Sequence, residues 1–215
     1  MRDVFVSLML LVCLLMIGCQ SGGGHQGGEA GWQSLFNGRD LSGWKASEKE
    51  GCFSVEDGAI KVHDGRSHLY YVGSVGDANF KNFEFKAKVM TRAGANSGIY
   101  FHSEYQETGW PKKGYESQVN ISHSDFQKSG GLYDAAKVNP APAEDDKWYV
   151  QHIIVKGKHV EVRIDGKTVV DYTEADDVSF EGWPGRKLSS GTFALQGHDP
   201  KSVVYFKDIM VKELK

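Results

Sequence analysis

The chain has 215 residues, enough for one domain with a full-sized core. Its formal net charge is −3 with acids and bases interspersed, which leaves no basic footprint for nucleic acid or an anionic membrane surface. Twenty-six glycines and 12% aromatic residues favour short strands separated by turns.

Residues 1–18 have the pattern of a signal peptide. Arg2 opens a brief charged region, Val4 to Ile17 is an almost unbroken apolar run of 14, and Gly18-Cys19 closes it. Fourteen helical residues rise about 21 Å, short of the roughly 30 Å hydrocarbon core, so a cleaved leader is expected rather than a span. Met16-Ile17-Gly18-Cys19 resembles the bacterial lipoprotein cleavage box, in which the cysteine becomes the lipid-bearing N-terminus. The alternative is ordinary secretion with Cys19 free. Residues 19–31, with their glycines, then form a flexible tether. The expected address is the bacterial cell envelope, on the periplasmic or outer-membrane face, with membrane contact through the lipid alone. With Cys13 removed and Cys19 acylated, Cys52 is the remaining thiol, read as a small buried hydrophobe.

Order is expected over residues 32–214. No helical period of convincing length occurs, whereas period-two stretches recur. Phe83 to Val89 alternates, and Asn96 to His102 places Tyr100 and His102 on one face with Ile99 and Phe101 on the other. Trp110, between Gly109 and Pro111, is a loop residue suited to stacking on a sugar ring or to packing. In Tyr115 to Asn120, Glu116, Gln118 and Asn120 share one face and Tyr115, Ser117 and Val119 the other. A face with an acid and two amides is either the solvent side of a one-sided sheet or a binding surface. The neighbouring Tyr100 and His102 favour a sugar groove.

Residues 122–147, with Gly130-Gly131 and Pro140-Ala141-Pro142, are expected to lie as loops across one face. His123 and Asp125 read as a local hydrogen-bonded pair, and Asp145-Asp146 and Asp176-Asp177 as solvated turns. Strands 151–156, 160–164 and 167–172, joined at Gly157 and Asp165-Gly166, form a meander. A late strand, Phe193-Ala194-Leu195, leads through Gln196 to the imidazole of His198. The run from Val204 to Val211 changes parity near Lys207-Asp208, where a bulge is expected. Trp32, Trp44, Trp148 and Trp183 are expected to pack. Many short strands without crossover helices predict an all-β, antiparallel two-sheet jelly-roll sandwich.

Six segments in this order resemble the 3-keto-disaccharide hydrolase domain family: Trp32 to Gly38 with Leu41 to Trp44, Asn96 to Phe101, Tyr115 to Gln118, Gly130 to Asp134, Gly166 to Tyr172, and Ala194 to His198. The resemblance implies a concanavalin A-like jelly roll and a glycoside substrate already oxidised to a ketone at sugar carbon 3. The ketone acidifies the hydrogen on carbon 2, so one base suffices, with donors or a metal ion to stabilise the enolate oxygen. The resemblance makes Glu116 the candidate base or metal ligand and His198 a second base, proton donor or ligand. Gln118, Asn120 and His102 would hold hydroxyls or a metal-bound water, with Tyr100, Trp110 and Gln196 as further sugar contacts. A divalent metal on Glu116 and His198 is the one cofactor implied. A retaining glucanase of this fold would carry acids two and five residues after Glu116, where this chain has Gln118 and Ile121. The competing reading is a non-catalytic carbohydrate-binding envelope lipoprotein.

Overall fold

The structure, a computed structural model, describes residues 30–215. The leader expected from the sequence and Cys19 lie outside the described residues. The strands in chain order are β1 (Gln33–Ser34), β2 (Trp44–Ala46), β3 (Phe53–Glu56), β4 (Ala59–Val62), β5 (Ser67–Tyr71), β6 (Phe83–Thr91) and β7 (Asn96–Ser103). They continue with β8 (Tyr115–Asn120), β9 (Tyr149–Lys156), β10 (His159–Ile164), β11 (Lys167–Thr173), β12 (Thr192–Gly197) and β13 (Val204–Glu213). The only helical pieces among the described residues are short 3-10 turns at Glu50–Cys52 and Val75–Ala78.

Every ladder is antiparallel. The larger sheet has eight strands in the order β11-β10-β9-β6-β13-β4-β3, with β1 on β13, and the smaller has five in the order β2-β5-β12-β7-β8. The sheets meet through rings that alternation directs inward: Phe193 of β12 lies 4.9 Å from Phe83 and 4.6 Å from Phe85 of β6, and Phe101 of β7 lies 5.9 Å from Phe83. All four are fully buried, the two-layer arrangement that the alternating pattern predicts. The β9-β10-β11 meander is present. So is the bulge in β13, as a register shift between Lys207 and Met210 with Asp208 at φ 51°. Cys52 is buried and free, and burial pushes its thiol up, away from the reactive thiolate. Trp148 does not pack inside: it is 38% exposed at the head of β9, with the Lys207 ammonium 4.0 Å from its ring centroid.

The two sheets differ in their outer faces. Strand β10 alternates between buried and half-buried residues, as a sheet with one wet side should. Strands β7, β8 and β12 are buried at every position, so the outer face of the smaller sheet is covered. Three connections cover it. The 104–114 loop is stapled by Gln106, whose amide nitrogen donates to the carbonyls of Thr108 (2.7 Å) and Trp110 (2.9 Å). It is tied down where the Glu48 carboxylate accepts the Gly109 N–H and the Arg66 Nε–H. The 121–148 loop runs along the edge of β8, with Gln118 N–H donating to Gly131 O (2.8 Å) and Tyr133 N–H to Glu116 O (3.0 Å). The 174–191 segment is held by buried Glu174, whose carboxylate accepts Tyr115 Oη–H and Leu188 N–H, each at 2.7 Å.

Candidate functional site

Strand register builds the floor of the site. Glu116 lies opposite Tyr100, Gln118 opposite Gly98 and Asn120 opposite Asn96, while Ala194 of β12 lies opposite Tyr100. Gln196, two residues on, therefore points to the same face. Tyr100 Oη donates to Glu116 Oε2 at 2.8 Å, and the Gln196 amide donates to Glu116 Oε1 at 3.0 Å. Gly98 makes the room: a Cβ there would stand 2.3 Å from Glu116 Oε1. Burial pushes the Glu116 carboxyl up to about 7, against the downward pull of the Tyr100 hydrogen bond, the Arg186 charge and the Gln196 amide. Burial and the Glu116 charge hold Tyr100 well above the ordinary phenol range, so it remains a proton donor. The floor continues to His68, opposite Gln196 and fully buried. Burial, with the charges of Arg66 and His198, lowers His68 to about 3 and keeps it neutral.

Over this floor stands a cavity of about 240 Å³. Its walls come from the covering loops: Trp110, Asp125, Tyr133, Trp183 and Arg186, with His198 at the end of β12. The Arg186 guanidinium is paired with Asp134 and lies over the rings of Trp183 (4.8 Å) and Tyr133 (5.8 Å), which fix it as a cation facing the pocket. Asp125 Oδ1 caps the Gln127 N–H at 3.0 Å.

His198 forms a dyad with its neighbour, Nδ1 lying 2.9 Å from Asp199 Oδ2. Burial raises the Asp199 carboxyl, but hydrogen bonds from Ser202 and His198 outweigh it and bring the group to about 2. Asp199 is thus an ionised acceptor, which places the His198 ring proton on Nδ1 and leaves Nε2 unengaged. The Trp110 ring lies 5.4 Å from that of His198. His123, Nδ1 accepting the Asp125 N–H at 3.0 Å, packs 5.6 Å away on His198.

His123, His198 and Asp199 offer ligand atoms within 4.8 Å of one another, but their donor state does not suit a cation. The Nδ1 lone pair of His123 is used by a backbone N–H, so its proton sits on Nε2, and Asp199 Oδ2 is shared by His198 and Ser202 Oγ. For the ligand pair expected from the sequence, Tyr100 and Gln196 each donate to one Glu116 oxygen, which leaves that carboxylate further lone pairs, and His198 keeps Nε2 open with its Nδ1–H on Asp199.

Of the residues expected to form the site, Glu116, His198, Gln118, Tyr100, Trp110 and Gln196 all line this pocket. His102 does not. It has φ 54°, and two residues of β7 face one of β12 between Tyr100 and Ser103. This bulge breaks the alternation, and the imidazole instead joins Lys81 O (2.9 Å) and the Ser189 N–H (3.1 Å). Asn120 points the expected way but is captured by the loop above: its amide donates to Gln127 O (2.8 Å) and Asp125 O (3.3 Å) and accepts from His123 N–H (2.9 Å). It positions the wall and does not touch the cavity. Trp183, expected to pack, is a pocket wall. Asp125, Tyr133 and Arg186 were not singled out from the sequence as site residues. The available signal was length, since loops beyond about 12–15 residues in a compact domain are usually functional.

An antiparallel two-sheet sandwich with a roofed pocket of carboxyl, amide, imidazole and indole groups on one sheet is a β-sandwich of the galectin and concanavalin A type. The chain belongs to the 3-keto-alpha-glucoside-1,2-lyase-like domain family, whose model matches residues 31–212. It is similar to the 3-keto-disaccharide hydrolase of Bacteroides thetaiotaomicron, 26% identical over 231 residues that cover 86% of this chain and 79% of the relative. Among solved structures, a protein described as a glycosyl hydrolase from Parabacteroides distasonis superposes with a TM-score of 0.74 at 24% identity, covering 86% of this chain and 94% of that one. The carbohydrate-binding module CBM66 of Bacillus subtilis shares the fold at TM-score 0.57 and 14% identity, over 80% of this chain and 96% of that one.

Proposed function

We propose that the protein is a carbohydrate-active enzyme that cleaves 3-keto-glycosides by base-initiated elimination followed by hydration. The observation that carries this reading is Glu116: a buried carboxyl on the pocket floor, raised to about 7, where it both takes and returns a proton near neutrality. Ionised Glu116 removes the hydrogen on sugar carbon 2, made acidic by the carbon 3 ketone. The electron pair forms the carbon 1–carbon 2 double bond as the bond from carbon 1 to the leaving oxygen breaks. Water then adds, hydroxyl to carbon 1 and proton to carbon 2. Arg186 supplies positive charge for the developing enolate oxygen, and His198, held by Asp199, carries protons to and from the leaving oxygen. Trp110 and Trp183 enclose the ring and exclude water. No step is routed through a metal; Glu116 and His198 are the residues that would hold a divalent ion, which would supply further positive charge for the enolate oxygen.

A second reading draws on Asp125. The chain lacks the strand-borne second acid of a glucanase, yet Asp125 brings a carboxylate into the pocket from the loop above, and two carboxylates suit direct hydrolysis of an unoxidised glycoside. One experiment separates the two: incubation of the purified protein with a 3-keto-glucoside and with its unoxidised parent, with and without chelator, followed by NMR. Cleavage of the keto sugar alone is expected, and its loss under chelator assigns a cation to Glu116 and His198. Cleavage of the parent favours the carboxylate pair, and inertness toward both leaves a sugar-binding protein. The proposed site of action is the bacterial cell envelope through a lipid on Cys19; Cys19→Ser is expected to move the protein from the membrane to the soluble fraction.

A further inference from the structure

Three aromatic side chains form a strip from the pocket to the surface. Trp183 and Tyr133 line the cavity, bridged by the Arg186 guanidinium. Phe126 follows, its ring 6.0 Å from that of Tyr133. Phe126 is 50% exposed, one of three large exposed hydrophobic side chains among the described residues, with Val72 and Trp148. The Trp148 ring has Lys207 over it, and Val72 borders a separate cleft beside Tyr105 and Thr192. A single exposed apolar residue needs no explanation by itself. What sets Phe126 apart is the backbone that displays it. Asn120 donates to the carbonyls of Asp125 and Gln127, one on each side of Phe126, and the Asp125 carboxylate caps the Gln127 N–H. The buried Gln127 side chain in turn holds Leu132 O (3.0 Å) and Ala136 O (2.9 Å). An exposed ring held by a fixed backbone beside Asp125 and Tyr133, both of which line the pocket, is preorganised for contact.

The size of the cavity says what it would contact. About 240 Å³ lies below the roughly 300–1,000 Å³ of pockets for larger ligands, so the oxidised ring fills the interior and the group leaving carbon 1 reaches the mouth. We propose that Phe126 is the leaving-group platform, stacking a second pyranose ring or an aromatic aglycone through its π-face, and that it sets the preference for glycosides whose leaving group has a flat apolar face. This rests on the 3-keto-glycoside reading for the identity of the inner ring. The Lys137 ammonium lies over the Phe126 ring, 5.7 Å from its centroid, against 4.0 Å for Lys207 over Trp148, so stacking on this face requires the flexible lysine side chain to swing aside.

The test compares Phe126→Ser and Phe126→Tyr with the unaltered protein on a 3-keto-disaccharide, a phenyl 3-keto-glucoside and methyl 3-keto-glucoside. For Phe126→Ser, KM for the first two is expected to rise about tenfold, with kcat unchanged and the methyl glycoside unaffected; Phe126→Tyr restores KM. An equal loss on the methyl glycoside, or no loss on the disaccharide, overturns the proposal. If the unaltered protein turns over none of the three, the enzymatic reading has failed, and saturation-transfer NMR with an unoxidised disaccharide decides the platform separately. Saturation of the outer ring that disappears in Phe126→Ser supports it, and an outer ring never saturated, or equally saturated in the variant, overturns it.

Discussion

Strands β8 and β10 carry the same kind of pattern and reach opposite ends. Each presents an acid among polar neighbours on one face and apolar residues on the other: Glu116, Gln118 and Asn120 in β8, and His159, Glu161 and Arg163 in β10. In β10 the polar face meets water. Glu161 is paired with Arg163 at 2.7 Å and bonded by Thr168, and those hydrogen bonds hold its carboxyl below the usual range. In β8 the polar face lies under three loops, and burial lifts Glu116 to about 7. The difference is therefore made by what lies above the strand. A solvated carboxylate is an ion and little else near pH 7, whereas a roofed one exchanges a proton there.

The largest expected effect sharpens this contrast. Glu116→Gln should lower kcat/KM on a 3-keto-glycoside by about 10³-fold while sugar binding persists, and Glu161→Gln should leave turnover unchanged; steady-state kinetics on both variants measure this. The same pair should separate in stability. Because Glu116 titrates at about 7 folded, above its ordinary 4.5, its contribution is complete below pH 4.5 and is lost as pH rises through about 7. Glu116→Gln should accordingly raise the Tm at pH 8, and an unchanged or lower Tm there would break the assignment of the raised pKa. Next in size, Gly98→Ala places a methyl 2.3 Å from Glu116 Oε1, and displacement of the base should cost about 10²-fold in kcat with the fold retained by circular dichroism. Arg186→Gln removes a cation that favours ionised Glu116, so the rising limb of the pH–rate profile should move to higher pH. The smallest effect belongs to Glu161→Gln, where loss of a surface pair should cost at most about 1 kcal/mol in urea unfolding.

The sandwich, the meander, the β13 bulge and the polar floor of the site were legible in the sequence because all depend on local period-two order. Two kinds of feature were not. His102 follows the expected parity up to a bulge that turns it away, and the cause of the bulge lies in the pairing with β12, far along the chain. Asn120 has the expected direction but is taken by backbone groups of the 121–148 loop. Asp125, Tyr133, Trp183 and Arg186 come from segments without period, whose position over the sheet is set by tertiary contacts such as those of Glu174 and Gln127. Of these four, Tyr133 alone stands in a segment carrying the family resemblance, Gly130 to Asp134.

The central claim, that Glu116 removes the carbon 2 hydrogen of a 3-keto sugar, is tested most directly by isotope exchange. A 3-keto-glucoside incubated with the protein in D₂O should acquire deuterium at carbon 2, and with Glu116→Gln it should not. Cleavage that leaves carbon 2 fully protiated, or exchange that continues undiminished in Glu116→Gln, would contradict it.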